Sequence, residues 1–510
     1  MRSDRLRGCL VVAALFAGTS SASAQGKNDD KTDKKTDDKA KATVVAQADP
    51  QAEPAPPAPP ADPSTQTGPT PQSDMSPGAP GARTMTVTDE QLHKMVDEMI
   101  VKSRPKGPQL EFSGYARDTV GLAAGGGKQV CFGLAGADTK WRLGNECDYV
   151  IEPQFTARIV NRDDKSSWGV VAMPGLYRTF QSPPGGASFS NIPAEFRQIY
   201  FFGEGVPQLL NGRVWGGRRY YDRLHLNIND QFLEIEDGDG AGVEDMNVGV
   251  GKVSVAFLMN PNSEAASVTG PTGDPIATAN LAPFKLTARI TDIKTAPEGS
   301  LQIWAALYSY STSKDQQDTA VVVPKPDSIF RFAAYHTLGK ILGGNNFVGA
   351  KVDAGSNHLQ WRAVVQEQMA FNNEHTAVDL LAEYRSNKNR INSDAPWIKN
   401  DWFSLGGRVD TQISGPFRFL VEAGVDRVMP DSGAAPLLVK TTAAFAINAG
   451  ETPGNVPSFR LFYTHGFWND AAKTSDLGVY TQGQSGTRLQ QVYGDKTNGG
   501  AFGIQAEAWW

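Results

Sequence analysis

From about residue 111 onward, apolar and polar residues alternate along the chain. In residues 417–426 every odd-numbered position is apolar, and the even-numbered positions include Arg418, Glu422 and Asp426. The same period of two is found in residues 223–229, 301–308 and 502–510. Successive side chains of a β-strand point to opposite faces, so each segment is predicted to be a strand with one apolar and one polar face.

The polar faces of these predicted strands separate two all-β architectures. A soluble sandwich buries its apolar faces and usually exposes Lys and Glu, whereas these polar faces carry Arg, Asn, Gln, Tyr and Trp. The strands recur over about 400 residues with turn clusters such as 237–240 and 498–500 between them, which suits a large outer-membrane barrel. A closed antiparallel barrel also leaves no strand edge unpaired in lipid. We therefore predict an all-β transmembrane barrel over residues 110–510.

The N-terminus predicts export. Arg2, Arg5 and Arg7 precede an apolar run over residues 9–17, and the sequence Ala22-Ser23-Ala24 follows. This arrangement is typical of a secretory signal peptide, here residues 1–24, and the apolar run is too short for a membrane anchor.

Residues 25–84 are predicted to be a disordered linker. Residues 27–39 contain five Lys and five Asp, and 11 of the 32 prolines fall within residues 50–80. Such a composition cannot bury a core.

A short amphipathic helix is predicted over residues 85–104. Thr88 and Gln91 form a capping box, an apolar stripe runs from Leu92 to Ile100, and Pro105 ends the helix. About four turns are not stable alone in water, so the stripe packs either on the rest of the chain or on copies of itself as a trimeric coiled coil.

Composition excludes several other classes. The chain has 510 residues, 20% of them charged, and a net charge of −6, which argues against a nucleic-acid-binding protein. No run of about 18 apolar residues follows the N-terminus, so membrane helices are not predicted. After signal cleavage two cysteines remain, Cys131 and Cys147. In an exported protein such a pair favours one disulfide, the alternative being two buried thiols.

Several sequence blocks resemble the maltoporin and sucrose porin family. The likeness is dense from residue 111 to about 250 and at the C-terminus, and thin between. The blocks are Gly114-Tyr115-Ala116-Arg117, Cys131-Phe132, Lys140–Cys147, Phe196-Arg197, Trp215–Tyr221, Gly240–Glu244 and Gln505–Trp510. The resemblance implies an eighteen-stranded barrel, a homotrimer in the bacterial outer membrane, and a sugar-selective pore lined by an aromatic slide and a polar track.

Carried over position by position, the resemblance implies a set of candidate site residues. The aromatic slide would include Tyr115, Trp509 and Phe189. The polar track and constriction would comprise Arg117, Arg142, Glu152, Arg197, Arg223, Asp230 and Phe232. Alternation along the last strand places Trp509 inside and Trp510 toward lipid.

Other slide positions differ from the family. Val150 stands where the family has a slide tyrosine, unless Tyr149 substitutes through a local shift. Gly344 and Asn389 stand at or near two further aromatic positions, with Phe347 close to the first but out of register.

Departures from the family also affect the constriction. His225 and Ile235 replace two family carboxylates, so we expect a more cationic site. Pore-facing parity changes between His225 and Asp230, which predicts a bulge or loop near Asn229. The acidic turn over residues 237–239 is interpreted as solvated rather than as a calcium site.

The leading hypothesis is a channel for passive diffusion of sugars, maltodextrins or other oligosaccharides, into the periplasm. The alternative is a general diffusion porin with weak sugar selectivity, since porin arginines can create a field without binding a particular solute. An outer-membrane hydrolase or an adhesin on a barrel is a third class, but the sequence contains no nucleophile motif. We expect no enzymatic activity, no cofactor, no metal and no nucleic-acid partner; the expected partners are oligosaccharide or disaccharide substrates, outer-membrane lipid and two further copies of the chain.

Overall fold

The computed structural model describes most of the predicted barrel, residues 110–510. The predicted signal peptide, linker and helix, and Phe189, lie outside the described residues. The structure describes residues 107–127, 129–179, 194–259, 265–269, 275–312, 327–371, 373–390, 393–454, 456–474 and 493–510.

β-Strands make up nearly all of this part of the chain. The strands are β1 (Gln109–Ala123), β2 (Asp148–Asn161), β3 (Ser167–Thr179), β4 (Ala194–Val206), β5 (Gly212–Arg219), β6 (Leu224–Leu226), β7 (Gln231–Glu234), β8 (Gly238–Asn247), β9 (Lys252–Met259), β10 (Ala265–Thr269), β11 (Pro275–Ala296), β12 (Gly299–Thr312), β13 (Ile329–Ile341), β14 (Gly344–Ala354), β15 (His358–Phe371), β16 (Thr376–Asn389), β17 (Ile398–Ser414), β18 (Phe417–Pro430), β19 (Leu437–Asn448), β20 (Ser458–Trp468) and β21 (Asn498–Trp509). One short helix, α1 (Asp470–Thr474), lies between β20 and β21. No helix among the described residues is long and apolar enough to cross a membrane.

Eighteen of these strands form a closed antiparallel barrel, which confirms the predicted fold class. Each of β1–β5, β8, β9 and β11–β21 pairs with the next of these strands, and β21 pairs with β1. In the closing pair Tyr115 lies opposite Trp509 and Arg117 opposite Glu507. The short strands β6 and β7 form a separate hairpin, and β10 belongs to the large sheet without being part of the ring.

Alternation along the strands sorts side chains between the outer wall and the lumen. On β21, Phe502 is 46% and Ile504 54% exposed, whereas Gln505 and Glu507 are buried. Trp510 is exposed and packs against Phe112 with ring centroids 5.5 Å apart, so it belongs to the outer face, as predicted. A lipid-facing apolar band and a polar lumen are the pattern of a transmembrane barrel.

The two ends of the barrel differ in the lengths of their connections. At the end where β1 begins and β21 finishes, turns are short, as at 297–298 and 342–343. At the other end lie long segments, including 124–147 and 220–237. Outer-membrane barrels have short periplasmic turns and long extracellular loops, so the long segments mark the extracellular end.

Candidate functional site

Two segments from the extracellular end pack inside the barrel. We call residues 124–147, apart from residue 128, loop A, and residues 220–237, which include the β6–β7 hairpin, loop B. The two loops contact each other: the Arg142 backbone N–H donates to the Ile228 carbonyl at 3.2 Å, and Lys140 Nζ lies 3.9 Å from an Asp230 carboxylate oxygen. The lumen is therefore narrowed by segments of the chain that are not wall strands.

Loop A packs against strands β17 and β18 where two glycines, Gly406 and Gly424, leave room for the Trp141 indole, and we call this place the glycine notch. Trp141 is 1% exposed. A Cβ added at Gly424 would lie 2.2 Å from the Trp141 indole, and one at Gly406 would lie 2.7 Å from it. Glycine is therefore required at both positions for the indole to lie flat on the wall.

The backbone of loop A is fixed by its own side chains. The Asn145 amide donates to the carbonyls of Phe132 and Trp141 at 2.7 and 2.8 Å. Cys131 and Cys147 form the predicted disulfide, with Cα atoms 6.0 Å apart. Loop A therefore has a defined conformation without being part of the sheet.

Loop B is anchored on strands β12 and β13 of the wall by an apolar and an ionic contact. Its buried residues Leu226, Ile228 and Leu233 pack with wall residues that include Trp304 and Tyr335. Arg331 on β13 lies 3.1 Å from both Glu234 and Glu236 of loop B. The predicted parity change near Asn229 is confirmed, because β6 and β7 are the two arms of a hairpin joined there. The alternation in residues 223–229 consequently marks this hairpin and not a wall strand.

A buried ion-pair network joins loop A to strands β1 and β21. Arg142 Nη2 lies 2.8 Å from Glu507 and Nε 2.8 Å from Glu146. Arg117 pairs with Asp148 at 2.7 Å and Glu146 at 3.2 Å.

The Tyr115 hydroxyl lies at the centre of this network. It donates to Glu507 at 2.8 Å and accepts from Arg142 at 2.9 Å. Tyr115 is 0% exposed, so in this conformation its ring is covered by loop A.

The residues predicted to form the constriction combine aromatic rings with paired charges. The Arg223 guanidinium lies 3.3 Å from the centroid of the Tyr220 ring and 5.5 Å from that of Phe232. Its Nε donates to both Asp237 carboxylate oxygens, at 2.9 and 3.0 Å. The arginine is thus held flat on an aromatic ring by a carboxylate from the same loop, and the acidic turn is an ion-pair partner and not merely solvated.

His225 and Asp230 form the second half of the constriction. The imidazole stacks on Phe232 with centroids 4.3 Å apart, and its Nε2 lies 3.2 Å from Asp230. Burial lowers the pKa of His225 below its ordinary value of 6.5, and the nearby Arg142 and Arg223 lower it further. The hydrogen bond with Asp230 raises this pKa but does not outweigh burial. The Asp230 carboxyl keeps a pKa well below its usual range despite burial, because His225, Arg142 and Lys140 stabilise its charge.

The remaining predicted polar residues lie on the wall beside loop B. The Tyr220 hydroxyl donates to Glu152 on β2 at 2.9 Å. Arg197 on β4 crosses Gly175 of β3, where an added Cβ would come within 2.5 Å of the Arg197 side chain, and it pairs with Glu195. Glu152 is 1% exposed, whereas the Arg197 side chain is 18% exposed.

This arrangement of an eighteen-stranded barrel with two inserted loops can be compared with known proteins. The family model described as LamB porin matches residues 110–510. The chain belongs to the LamB porin family. It is accordingly a porin of the bacterial outer membrane, and its barrel is the channel.

Solved porin structures resemble this LamB porin more distantly. OpdQ of Pseudomonas aeruginosa is 9% identical, with a TM-score of 0.43, covering 79% of this chain and 99% of OpdQ. OmpT of Vibrio cholerae, in its trimer form, is 9% identical, with a TM-score of 0.36 and 79% and 100% of the two chains covered. An anion-selective porin from Comamonas acidovorans is 11% identical, with a TM-score of 0.34 and coverage of 79% and 100%. The family assignment rests on the LamB porin match alone.

The structure also resolves the departures of this LamB porin from the family's aromatic positions. Val150 is buried and paired in register with Arg117 on the inside, which places Tyr149 on the other face, so Tyr149 does not replace the missing ring. Phe347 lies in the lumen, stacked on Tyr335 with centroids 5.8 Å apart.

Gly344 and Asn389 do not supply a ring either. An added Cβ at Gly344 would lie 1.9 Å from the Gln368 carbonyl, so no side chain fits there. Asn389 is exposed and its amide donates to Asn387 at 3.2 Å.

Sequence reasoning did not select several residues of the constriction. Tyr220 and Asp237, which fix Arg223, were not among the candidates. Glu507, the partner of Arg142 from the last strand, was not selected either. Each carries a weak signal, since Tyr220 and Glu507 lie within the family-like blocks and Asp237 lies in the acidic turn. A pairing between distant segments is visible only after folding.

Proposed function

We propose that this LamB porin mediates facilitated passive diffusion of uncharged oligosaccharides or disaccharides into the periplasm. The observation that carries the proposal is the constriction, where Arg223 lies on the Tyr220 ring and next to Phe232. An aromatic face packs against the apolar face of a pyranose, and a fixed guanidinium–carboxylate pair replaces the water bound to its hydroxyls. Weak, repeated contacts of this kind let a solute enter and also leave.

Block of ion current by sugar in planar bilayers tests the proposal. Maltotriose, maltohexaose and sucrose should each be titrated, and at least one should reduce the current reversibly. Arg223→Ala should weaken block about tenfold or more, because hydrogen bonds to charged groups contribute about 1.5–3 kcal/mol. Phe232→Ala should weaken block about threefold, in line with aromatic contacts of about 0.5–1.5 kcal/mol.

Arg218 provides the matched control for these variants. It lies on β5 opposite the exposed Ile199 and pairs with Asp239 at 3.2 Å, on the outer face of the wall. Arg218→Ala should leave sugar block unchanged. Absence of block by every sugar tested would refute sugar selectivity, and equal affinity in wild type, Arg223→Ala and Phe232→Ala would place the binding site elsewhere.

A general diffusion porin is the second candidate. It is favoured by the covered ring of Tyr115 and by Val150 in place of a slide aromatic. Swelling of proteoliposomes separates the two functions, because a general pore ranks solutes by size alone. A sugar-selective channel passes a preferred oligosaccharide faster than a smaller non-sugar solute.

The assembly and chemistry proposed for this porin rest on the family resemblance and, for residues 85–104, on the apolar stripe of the predicted helix. We infer a homotrimer, with Phe189 reaching a neighbouring pore and residues 85–104 forming a coiled coil between subunits. We also infer that the protein has no enzymatic activity and needs no cofactor. Deleting residues 26–104 should leave an inserted, conducting barrel, and loss of all channel activity would contradict the role of this extension as a spacer.

A further inference from the structure

A row of uncharged polar side chains descends the lumen wall from the constriction. The Tyr220 backbone N–H of loop B donates to Gln198 Oε1 at 3.1 Å. Gln198 Nε2 donates to Gln154 Oε1 at 3.1 Å, and Gln154 Nε2 donates to Ser113 Oγ at 3.5 Å. These residues come from β4, β2 and β1, so the row extends over the four neighbouring strands β4 to β1 toward the end where β1 begins, which is the periplasmic end.

Strand alternation places this row inside the barrel. Phe112 is 55% and Phe155 40% exposed on the outer wall, so their neighbours Ser113 and Gln154 face the lumen. Gln198 lies opposite Met173, whose side chain is 2% exposed. Ser113 and Gln154 are half-buried and opposite each other in the β1–β2 pair. They are therefore available to a solute in the lumen.

Gln154 has a hydrogen-bond donor left for a ligand, whereas the charged side chains nearby are already paired with each other. The Gln154 amide nitrogen carries two hydrogens and has a single partner among the described residues, at 3.5 Å. In contrast, the charged side chains nearer the periplasmic end pair with one another: Glu204 lies 2.7 Å from Arg158 and 2.7 Å from Arg213. An amide both donates and accepts, and its desolvation costs far less than that of an ion.

An aromatic ring lies next to this row. The strand register places Trp509, Tyr115 and Glu152 side by side, one inward-facing step above Ser113 and Gln154. One such step along a strand is about 7 Å. Trp509 is half-buried, unlike the covered Tyr115. Its indole can therefore pack on a pyranose ring while the hydroxyl groups of the sugar reach the amides.

The surroundings of the row favour an uncharged ligand. Among the described residues Glu152 forms no ion pair, and its contact is the Tyr220 hydroxyl at 2.9 Å. A carboxylate oxygen accepts hydrogen bonds from hydroxyl groups, and neutral amides bind the same groups without needing a charged partner.

We propose that Ser113 and Gln154, with Gln154 held in place by the buried Gln198 and with Trp509 beside them, form an exit subsite that binds the hydroxyl groups of uncharged sugars on the periplasmic side of the constriction. The proposal rests on the sugar-channel function and adds a second station to it. A sugar leaving Arg223 exchanges its hydrogen bonds for those of the amides before it reaches the periplasm.

Single-channel recording of the full-length porin tests this subsite, with maltotriose added from the periplasmic side. Gln154→Leu and Gln198→Leu should each shorten the sugar residence time about three- to tenfold, the effect of one lost hydrogen bond of about 0.5–1.5 kcal/mol. The matched control is Gln368→Leu on β15, whose amide is inward-facing on the distant wall and lies 3.4 Å from Asp379; it should behave as wild type.

Gln154→Glu keeps the size and shape of the side chain, so it tests the amide even if the apolar variants fail to fold. It should reduce block by trigalacturonate more than block by maltotriose. Wild-type residence times in Gln154→Leu, Gln198→Leu and Gln154→Glu, with maltotriose still blocking the wild type, would overturn the subsite and leave the sugar channel intact. Failure of maltotriose, maltohexaose and sucrose to block the wild type would instead refute the sugar channel itself.

Discussion

The wall of the barrel and the two loops inside it are stabilised in different ways. On the wall, each residue lies next to partners fixed by strand register, and the backbone ladder supplies the hydrogen bonds. In loop A, Arg142 contacts residues 4, 27, 85 and 365 positions away in the chain. The wall is thus specified by a repeating pattern, and the constriction by individual side chains.

This difference predicts different responses to mutation. A wall substitution that keeps the polarity of its face leaves the ladder intact. A substitution in a loop leaves a buried charge or ring without its partner, which is costly in a water-poor environment.

Filling the notch under Trp141 should displace loop A. Gly424→Ala puts a Cβ 2.2 Å from the indole, so the ring must leave. We expect a severalfold higher single-channel conductance and loss of sugar block. Gly216→Ala is the control on the outer wall, where the nearest atoms to an added Cβ are 3.9 Å away, and it should conduct as wild type. Equal conductance in the two variants would show that loop A does not narrow the pore.

Removing one partner of the buried ion network should destabilise the fold more than removing a wall partner. Arg142→Ala removes the charge-assisted hydrogen bonds to Glu507, Glu146 and the Tyr115 hydroxyl, although Arg117 and Arg460 still pair with the two carboxylates, and we expect a cost of about 1.5–3 kcal/mol. Arg213, which pairs with Glu204 on the wall, has a side chain that is 31% exposed; its replacement by Ala should cost about 0–1 kcal/mol. Urea unfolding of the purified porin in detergent measures both, and similar midpoints would contradict the distinction.

Removing the disulfide should loosen loop A and spare the wall. The double variant Cys131→Ser, Cys147→Ser loses the constraint on the loop between them, worth about 3 kcal/mol in the chain-entropy model. Limited proteolysis should cut within residues 124–147 while the barrel stays protected. A barrel that fails to assemble would mean that loop A is needed for the wall as well.

Acidification should affect loop B through His225. Because burial depresses its pKa, the packed loop binds fewer protons than the free one. The contribution of His225 to loop stability is therefore complete above pH 6.5 and decreases as the pH falls below it. Sugar block by the wild type should weaken between pH 7 and pH 5, whereas His225→Gln should show a flatter pH profile. Matching profiles would assign the pH effect to another group.

Some parts of the constriction were predictable because they carry a local or family signal. Arg117, Arg142, Glu152, Arg223, Asp230 and Phe232, which were selected from the resemblance, all lie at or next to the inserted loops, and their contact with a sugar stays a prediction. Tyr115 was expected to contact a solute, and it is instead covered by Arg142. Its exposure depends on how loop A packs, which no local pattern records.

The expectation of a more cationic constriction illustrates the same limit. Replacing two carboxylates by His225 and Ile235 removes negative charge from the sequence block. In the fold, however, carboxylates lie beside the arginines: Asp237, from the same loop, pairs with Arg223, and Glu507, from the last strand, pairs with Arg142. Net charge along one segment therefore does not give the charge of a site assembled from several.

By itself, the sequence determined the class of fold, the face of β12, β18 and β21 that meets lipid, and the disulfide pair. Those properties depend on period two and on residue type, which act over a few neighbouring residues. Only the tertiary structure decided that residues 223–229 form a hairpin in the lumen, that Tyr115 is covered, and that Gln154 and Gln198 meet below the constriction. These outcomes depend on contacts between distant segments, because a side chain inside the barrel contacts residues of other strands and loops and not residues of its own strand.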